Sequence, residues 1–153
     1  SRTAAETGFC SPDNDDITAR NAMIACERAG LPMESRLHWN IFPWWVNVVV
    51  KGRPVDPTRP PQSYTDARRM AAPLLIEFLS LLERPRVLVL LGGQSQKAFD
   101  DLGIEHDMRA RRIEVLKCPS FSPQSWNNKD SSGRLRSEVI VETLKQARGI
   151  AEL

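Results

Sequence analysis

Asn40 carries chemistry that its neighbours make specific. Its carboxamide offers two donors and an acceptor, and it stands in Leu37-His38-Trp39-Asn40-Ile41-Phe42-Pro43-Trp44-Trp45, among four aromatic rings. An amide that reads a base edge, beside rings that stack on a base face, is what recognition of an unstacked nucleobase requires. A plainer role fits the same residues: Asn40 ends a strand and the tryptophans pack core or rim. A second candidate is Gly92-Gly93, placed between an apolar run and a helical pattern. Such a junction aims free N–H groups at the carboxyl end of a strand, where anions bind. The glycine spacing is neither GxxxxGK[ST] nor GxGxxG, which sets aside a P-loop and a dinucleotide fingerprint. Close helix–strand packing accounts for the two glycines equally well. The third candidate is Cys118-Pro119-Ser120-Phe121-Ser122-Pro123-Gln124-Ser125-Trp126-Asn127, a hydroxyl-rich loop too full of Pro and Ser to be regular. Cys118 is a remote nucleophile, because no histidine stands near it in sequence to activate it.

These groups need a scaffold, and the periodicities supply one. Leu37, Trp39 and Ile41 alternate with polar residues, the pattern of a half-buried strand that stops at Pro43. Asp15 or Asp16 caps a helix over Ile17 to Ala29, with Ile17, Ile24 and Ala25 on its inner side and Gly30 as its stop. Val46 to Val50 reads as a short strand or an extended wall. Gly52 to Gln62, with Pro54, Pro57, Pro60 and Pro61, is an irregular loop in which Arg53 and Arg59 can touch phosphates. Ser63-Tyr64-Thr65-Asp66 resembles a capping box for a helix to Leu82, kinked or broken at Pro73. Arg86 to Leu91 is the most continuously apolar run and reads as a buried parallel strand covered on both faces. A helix from Gln94 to Leu102, a strand over Arg112 to Lys117 and an amphipathic helix from Leu135 to Ile150 complete the chain. Alternation of strand and helix predicts an α/β fold, a three-layer α/β/α sandwich on a mainly parallel sheet. In such sheets ligands bind at the carboxyl ends of the strands.

Composition narrows the class. At 153 residues the chain is expected to form one domain; 41% hydrophobic and 26% charged residues describe an ordinary globular protein. No window approaches the run of about 20 apolar residues that a membrane span needs, so no membrane partner is expected. Ser1 to Glu6 has no apolar h-region, and the missing starting methionine reads as a processed or truncated piece. Cys10, Cys26 and Cys118 are too few and too widely spaced for a disulfide framework or a four-cysteine metal site. A reducing, cytoplasmic setting and a monomer are the expectation. The net charge of +2 does not announce nucleic-acid binding, yet Arg109, Arg111, Arg112, Lys117, Lys129, Arg134 and Arg136 crowd the C-terminal third. Such a run is more often a solvated face.

Together, Thr7-Gly8-Phe9, Trp39-Asn40-Ile41-Phe42-Pro43-Trp44 and Ser120-Phe121-Ser122-Pro123-Gln124-Ser125-Trp126-Asn127 resemble three motifs of the uracil-DNA glycosylase superfamily, in the family's order. Between them, Arg84 to Gly93 resembles the family's helix end, buried strand and glycine turn. The resemblance spans most of residues 7 to 147. It implies a DNA-repair hydrolase that flips a uracil or other deaminated base out of DNA and cleaves its N-glycosidic bond, with no cofactor and no metal. Phe9 would stack on the base and Asn40 would read its edge. Gly92 and Gly93 would line the base site, where the N–H groups near Gly93 would partly polarise the base, and Ser120 or Ser122 would touch the base or an adjacent phosphate. Gln124 and Trp126 would wedge into the vacated stack, and Arg134 would contact the DNA.

Two departures bear on activity. The family's first motif, which positions the attacking water, would end about where this chain begins. The family's catalytic histidine is also absent: Ser120 takes its place in the ungapped register, Cys118 or Ser122 in shifted ones. The only histidines are His38 and His106. Two other classes therefore stand beside the glycosylase: a DNA-binding relative that cleaves weakly or not at all, and an unrelated α/β enzyme binding a nucleotide through the Gly92-Gly93 turn.

Overall fold

The computed structural model of the protein describes residues 15–42 and 63–152. Phe9, the Val46–Val50 run and the proline-rich loop fall outside these residues. The described chain is α/β and divides into two compact units, one from residues 15–38 and 85–152, the other from 39–42 and 63–84.

The larger unit is built on two parallel strands, β1 (Val87–Leu91) and β2 (Glu114–Cys118), with Val87 opposite Glu114 and Leu91 opposite Cys118. Helix α1 (Ile17–Ala29) precedes them; α3 (Gly93–Leu102) and α4 (Glu105–Ala110) join them; α5 (Pro123–Trp126) and α6 (Arg136–Ala151) follow. Helix α6 packs on both strands and on α1, while α3 packs on β1 and α4 on β2. Strand side chains alternate between faces. Val89, Leu91 and Cys118 join Ala22, Ala25, Cys26, Ala29, Phe121, Ile140 and Leu144 in one apolar core. On the other face Lys117 Nζ reaches Asp100 of α3 at 2.9 Å.

Helix boundaries follow local chemistry. Asp16 caps α1 by accepting from the Ala19 N–H at 2.9 Å. Gly30 ends it in the left-handed region, at φ +64°, donating to Cys26 and Glu27 carbonyls. The inner face of α1 differs from the periodicity reading: Ile17 is exposed, and Ala22, Ala25, Cys26 and Ala29 are buried with Asn21. Alanines let α1 and α6 approach closely, which a face of isoleucines would not.

In the smaller unit, α2 (Tyr64–Leu81) starts at Ser63, which accepts from the Asp66 N–H at 3.1 Å while donating to its carboxylate at 2.6 Å. The helix continues through Pro73, which removes the usual donor for the Arg69 carbonyl. The expected strand over Leu37–Phe42 does not form: a 3-10 turn at Met33–Ser35 leads into irregular chain and a bend at Ile41–Phe42. Alternation marks a strand only where a neighbouring ladder takes its N–H and C=O groups. Here the apolar side chains find a helix instead. Phe42 packs with Ala67 and Ala71, with Ile41 beside them, and Trp39 stacks on Phe78 with ring centroids 4.1 Å apart. The sheet of the described residues accordingly has two strands.

Arg112 terminates α4 at φ +57°, the left-handed region where a side chain is strained. Its N–H and that of Ile113 close the helix on Arg109 and Met108 carbonyls. Replacing Arg112 with Gly removes the strain with no loss of a core contact. Denaturant titration should show a gain of about 0.5 to 1 kcal/mol.

Candidate functional site

The carboxyl ends of β1 and β2 bring together two of the candidate stretches, the Gly92-Gly93 turn and the loop after Cys118. After Leu91 the chain turns at Gly92, with φ +82° and ψ 166°, a combination open essentially to glycine alone. The Gly92 N–H donates to the Cys118 carbonyl at 2.8 Å, bringing the turn against the loop that leaves β2. A Cβ on Gly92 would lie 2.9 Å from the Ser120 Cβ, so the turn and Ser120 touch with no room between them. Ser120 Oγ and Ser122 Oγ are 2.9 Å apart. Gly92, Gly93, Ser120 and Ser122 thus form one cluster. Gly93 differs in kind from Gly92, since nothing lies within 4 Å of where its Cβ would be.

Helix geometry leaves the first-turn N–H groups of α3, those of Gly93 and Ser95 among them, without an acceptor one turn back. Around the turn, side chains satisfy the strand ends. Ser95 Oγ lies 2.8 Å from both the Leu91 and Gly92 carbonyl oxygens, and its one proton serves them. Gln96 Nε2 donates to the Cys118 carbonyl at 2.9 Å and approaches that of Leu90 at 3.3 Å. From the other side, Asn21 of α1 donates through Nδ2 to the Phe121 carbonyl at 2.8 Å, a buried bond. Asn21, Ser95 and Gln96 were not singled out in the sequence. The one signal for Asn21 is an amide on an alanine-lined helix face; the other two look like ordinary polar residues of a first helical turn.

The loop after Ser120 is more regular than its Pro and Ser content predicts. Ser122 accepts from the Ser125 N–H at 3.3 Å as the N-cap of α5, and Pro123 occupies the first helical position. Serine before proline is a helix-start signal in its own right. In this turn Gln124 is exposed, whereas Trp126 is half-buried against the α1–α6 core. Arg134 is exposed, and its guanidinium meets Glu142 at 2.8 Å and Asp130 at 4.0 Å. Asp130 holds the 130–134 turn by accepting from Ser132 Oγ at 2.7 Å, Ser132 N at 2.9 Å and Arg134 N at 3.1 Å. The Ser132 hydroxyl is the main cause of its lowered pKa.

Asn40 belongs to the smaller unit, where its side chain is exposed. Phe9 lies outside the described residues. His106 is exposed on α4, which leads into the amino end of β2; a five-residue strand separates it from Ser120, roughly 13 Å of chain. Among the described residues no cluster of three or more His, Cys, Asp and Glu is placed to hold a metal ion, and no helix is long and apolar enough to cross a membrane. An open depression of about 440 Å³ lies between the C-terminal ends of α1 and α6, lined by Gly30, Lys145, Arg148 and Gly149 among others. It contains none of the candidate residues. Comparison with protein families, with curated proteins and with solved structures finds no match.

Cys118 sits at the edge of the cluster but turns its thiol into the core, where it is 1% exposed. Burial pushes that thiol from its ordinary value of 9.0 up to about 11, against a weaker opposing bond from Thr143. A neutral buried thiol is inert as a nucleophile.

Two outcomes follow from this geometry. Gly92→Ala combines a forbidden backbone with a collision against Ser120 and should cost about 2 to 4 kcal/mol. Gly93→Ala, at an open helical position, should be neutral or stabilising by up to about 1 kcal/mol; equal effects in denaturant titrations would contradict the distinction. The Cys118 thiol, with its folded pKa raised, contributes stability that is fully present below pH 9. That contribution is lost as pH rises from 9 to 11 and the unfolded chain alone ionises. The loss should approach about 2 to 3 kcal/mol, and Cys118→Ala should flatten that part of the stability–pH curve.

Proposed function

We propose that this chain is a nucleobase-recognising domain of the uracil-DNA glycosylase type, acting on a deaminated base flipped out of DNA. One observation supports this above the others: the Gly92 turn and the Ser120–Ser122 hydroxyls meet at the carboxyl ends of two parallel strands. Ligands of α/β sheets bind at such ends. The proposal carries with it the three-layer α/β/α sandwich of that family, with β1 and β2 as part of a mainly parallel sheet.

Cleavage of an N-glycosidic bond sends the bonding electron pair out with the base and leaves positive charge on the sugar, to which water adds. First-turn N–H groups of α3 and a serine hydroxyl donate to the oxygen of the departing base. The family resemblance gives Asn40 the pairing with the base edge and Phe9 the stacking on its face. Gln124, exposed on α5, enters the vacated stack; Trp126 follows only if its ring leaves the core. Arg134 reaches a phosphate by exchanging its carboxylate partners, at little cost for an exposed pair. No metal or cofactor is called for.

A serine is a weaker donor than an imidazolium, and Ser122 already caps α5 while sharing a hydrogen bond with Ser120. That engagement favours a second reading, a relative that binds DNA and cleaves it slowly or not at all. Base release from labelled oligonucleotides carrying uracil, hypoxanthine or xanthine, single- and double-stranded and with protein in excess, separates the two. Release is expected, and Asn40→Ala should slow it roughly a hundred- to a thousandfold. Salt-dependent binding without release would leave the second reading standing. Absence of both would remove DNA as the partner and turn attention to free nucleotides.

A further inference from the structure

Ser120 lies between two backbone carbonyls that side-chain amides hold from opposite directions. Before it, the Cys118 carbonyl accepts from Gln96 Nε2 of α3 at 2.9 Å as well as from the Gly92 N–H. After it, the Phe121 carbonyl accepts from Asn21 Nδ2 of α1 at 2.8 Å. The side chains of Cys118 and Phe121 anchor the two ends of the segment in the apolar core, and the stretch between them has less to fix its backbone. Pro119 brings no N–H, and β2 ends at Cys118. Asn21 is 6% exposed on a helix face otherwise made of alanine and cysteine. A buried amide there costs free energy unless it is hydrogen-bonded, and an alanine would complete that face without the cost.

Resting on the base-recognition reading above, we infer that Asn21 and Gln96 are positioning residues: they clamp the Cys118–Phe121 loop so that the Ser120 hydroxyl is held against the Gly92 turn. The distances make the clamp sensitive. Ser120 Cβ stands where it would meet a Gly92 Cβ at 2.9 Å, so small movements of the loop change how Ser120 sits against the Gly92 turn. Misplacement of a reacting group by about 1 Å can cost roughly a hundredfold in rate. Neither amide is offered as touching the base; each acts through a carbonyl of the loop.

The test is a double-mutant cycle on single-turnover release, from DNA, of whichever of uracil, hypoxanthine and xanthine the parent releases fastest. Asn21→Ala and Gln96→Met each remove a donor, and they lie on different helices, so misfolding of one leaves the other informative. Each should slow release roughly ten- to a hundredfold with DNA affinity within about threefold of the parent. In a Ser120→Ala background the same substitutions should slow release by less than about threefold, because the group they position is gone. A merely structural role predicts losses that follow the melting temperature and multiply with Ser120→Ala; either result overturns the inference. Parent protein that releases the base alongside variants of undiminished rate also overturns it, while leaving the glycosylase reading intact. Parent protein that releases none of uracil, hypoxanthine and xanthine overturns that reading, and the inference with it.

Discussion

The carbonyl of Cys118 is the point on which the larger unit closes. It accepts from the Gly92 backbone at 2.8 Å and from the Gln96 side chain at 2.9 Å. Those two bonds tie the end of β2 to the turn that leaves β1 and to the helix that follows. The Cys118 side chain goes the other way, into the core with Ile140 and Leu144. One residue thus joins the apolar interior to the polar strand ends. A parallel pair has no tight hairpin to fix its register, so such cross-ties do that work at the carboxyl end. The glycine at 92 is a condition of this arrangement: its φ of +82° and the approach of Ser120 both exclude a side chain.

The interior that supports this point is made of small residues on one side and branched ones on the other. Ala22, Ala25 and Ala29 of α1 face α6, whose Ile140 and Leu144 supply the bulk. From the same helix Asn21 donates to the Phe121 carbonyl at 2.8 Å. A buried hydrogen bond of this kind adds only about 1 kcal/mol net. Leaving that carbonyl or the amide unpaired costs more, so the bond specifies one loop conformation more than it stabilises the domain.

Much of the larger unit was legible because its signals are local. The Asp16 cap, the Gly30 stop, the apolar run before Gly92-Gly93 and the stripe of α6 each state their structure within a few residues. The Leu37–Phe42 segment was misread as a strand because alternation is blind to what lies across from it. Trp39, Ile41 and Phe42 turned out to cover α2. The α5 turn was hidden by a different rule: prolines and serines that forbid long regular structure are good residues for starting a short helix. Of the site, the Gly92–Ser120 meeting was inferable from strand order, since both follow strands of one parallel sheet. The amides of Asn21 and Gln96 were not, because their partners are backbone carbonyls 100 and 22 residues away, which no side-chain pattern records.

The chemistry available at the strand ends is that of fixed neutral donors. Hydroxyls of Ser120 and Ser122 and the first-turn N–H groups do not change charge near neutral pH, and the nearby thiol of Cys118 is held up at about 11 by burial. Such a site can stabilise negative charge that develops on a bound group, and it does so best when the donors cannot reorient. Donors of this kind assist a reaction through electrostatic stabilisation and positioning. That is why the rigidity of the Cys118–Phe121 loop, set by two carboxamides and one glycine, matters more here than the acidity of any single side chain.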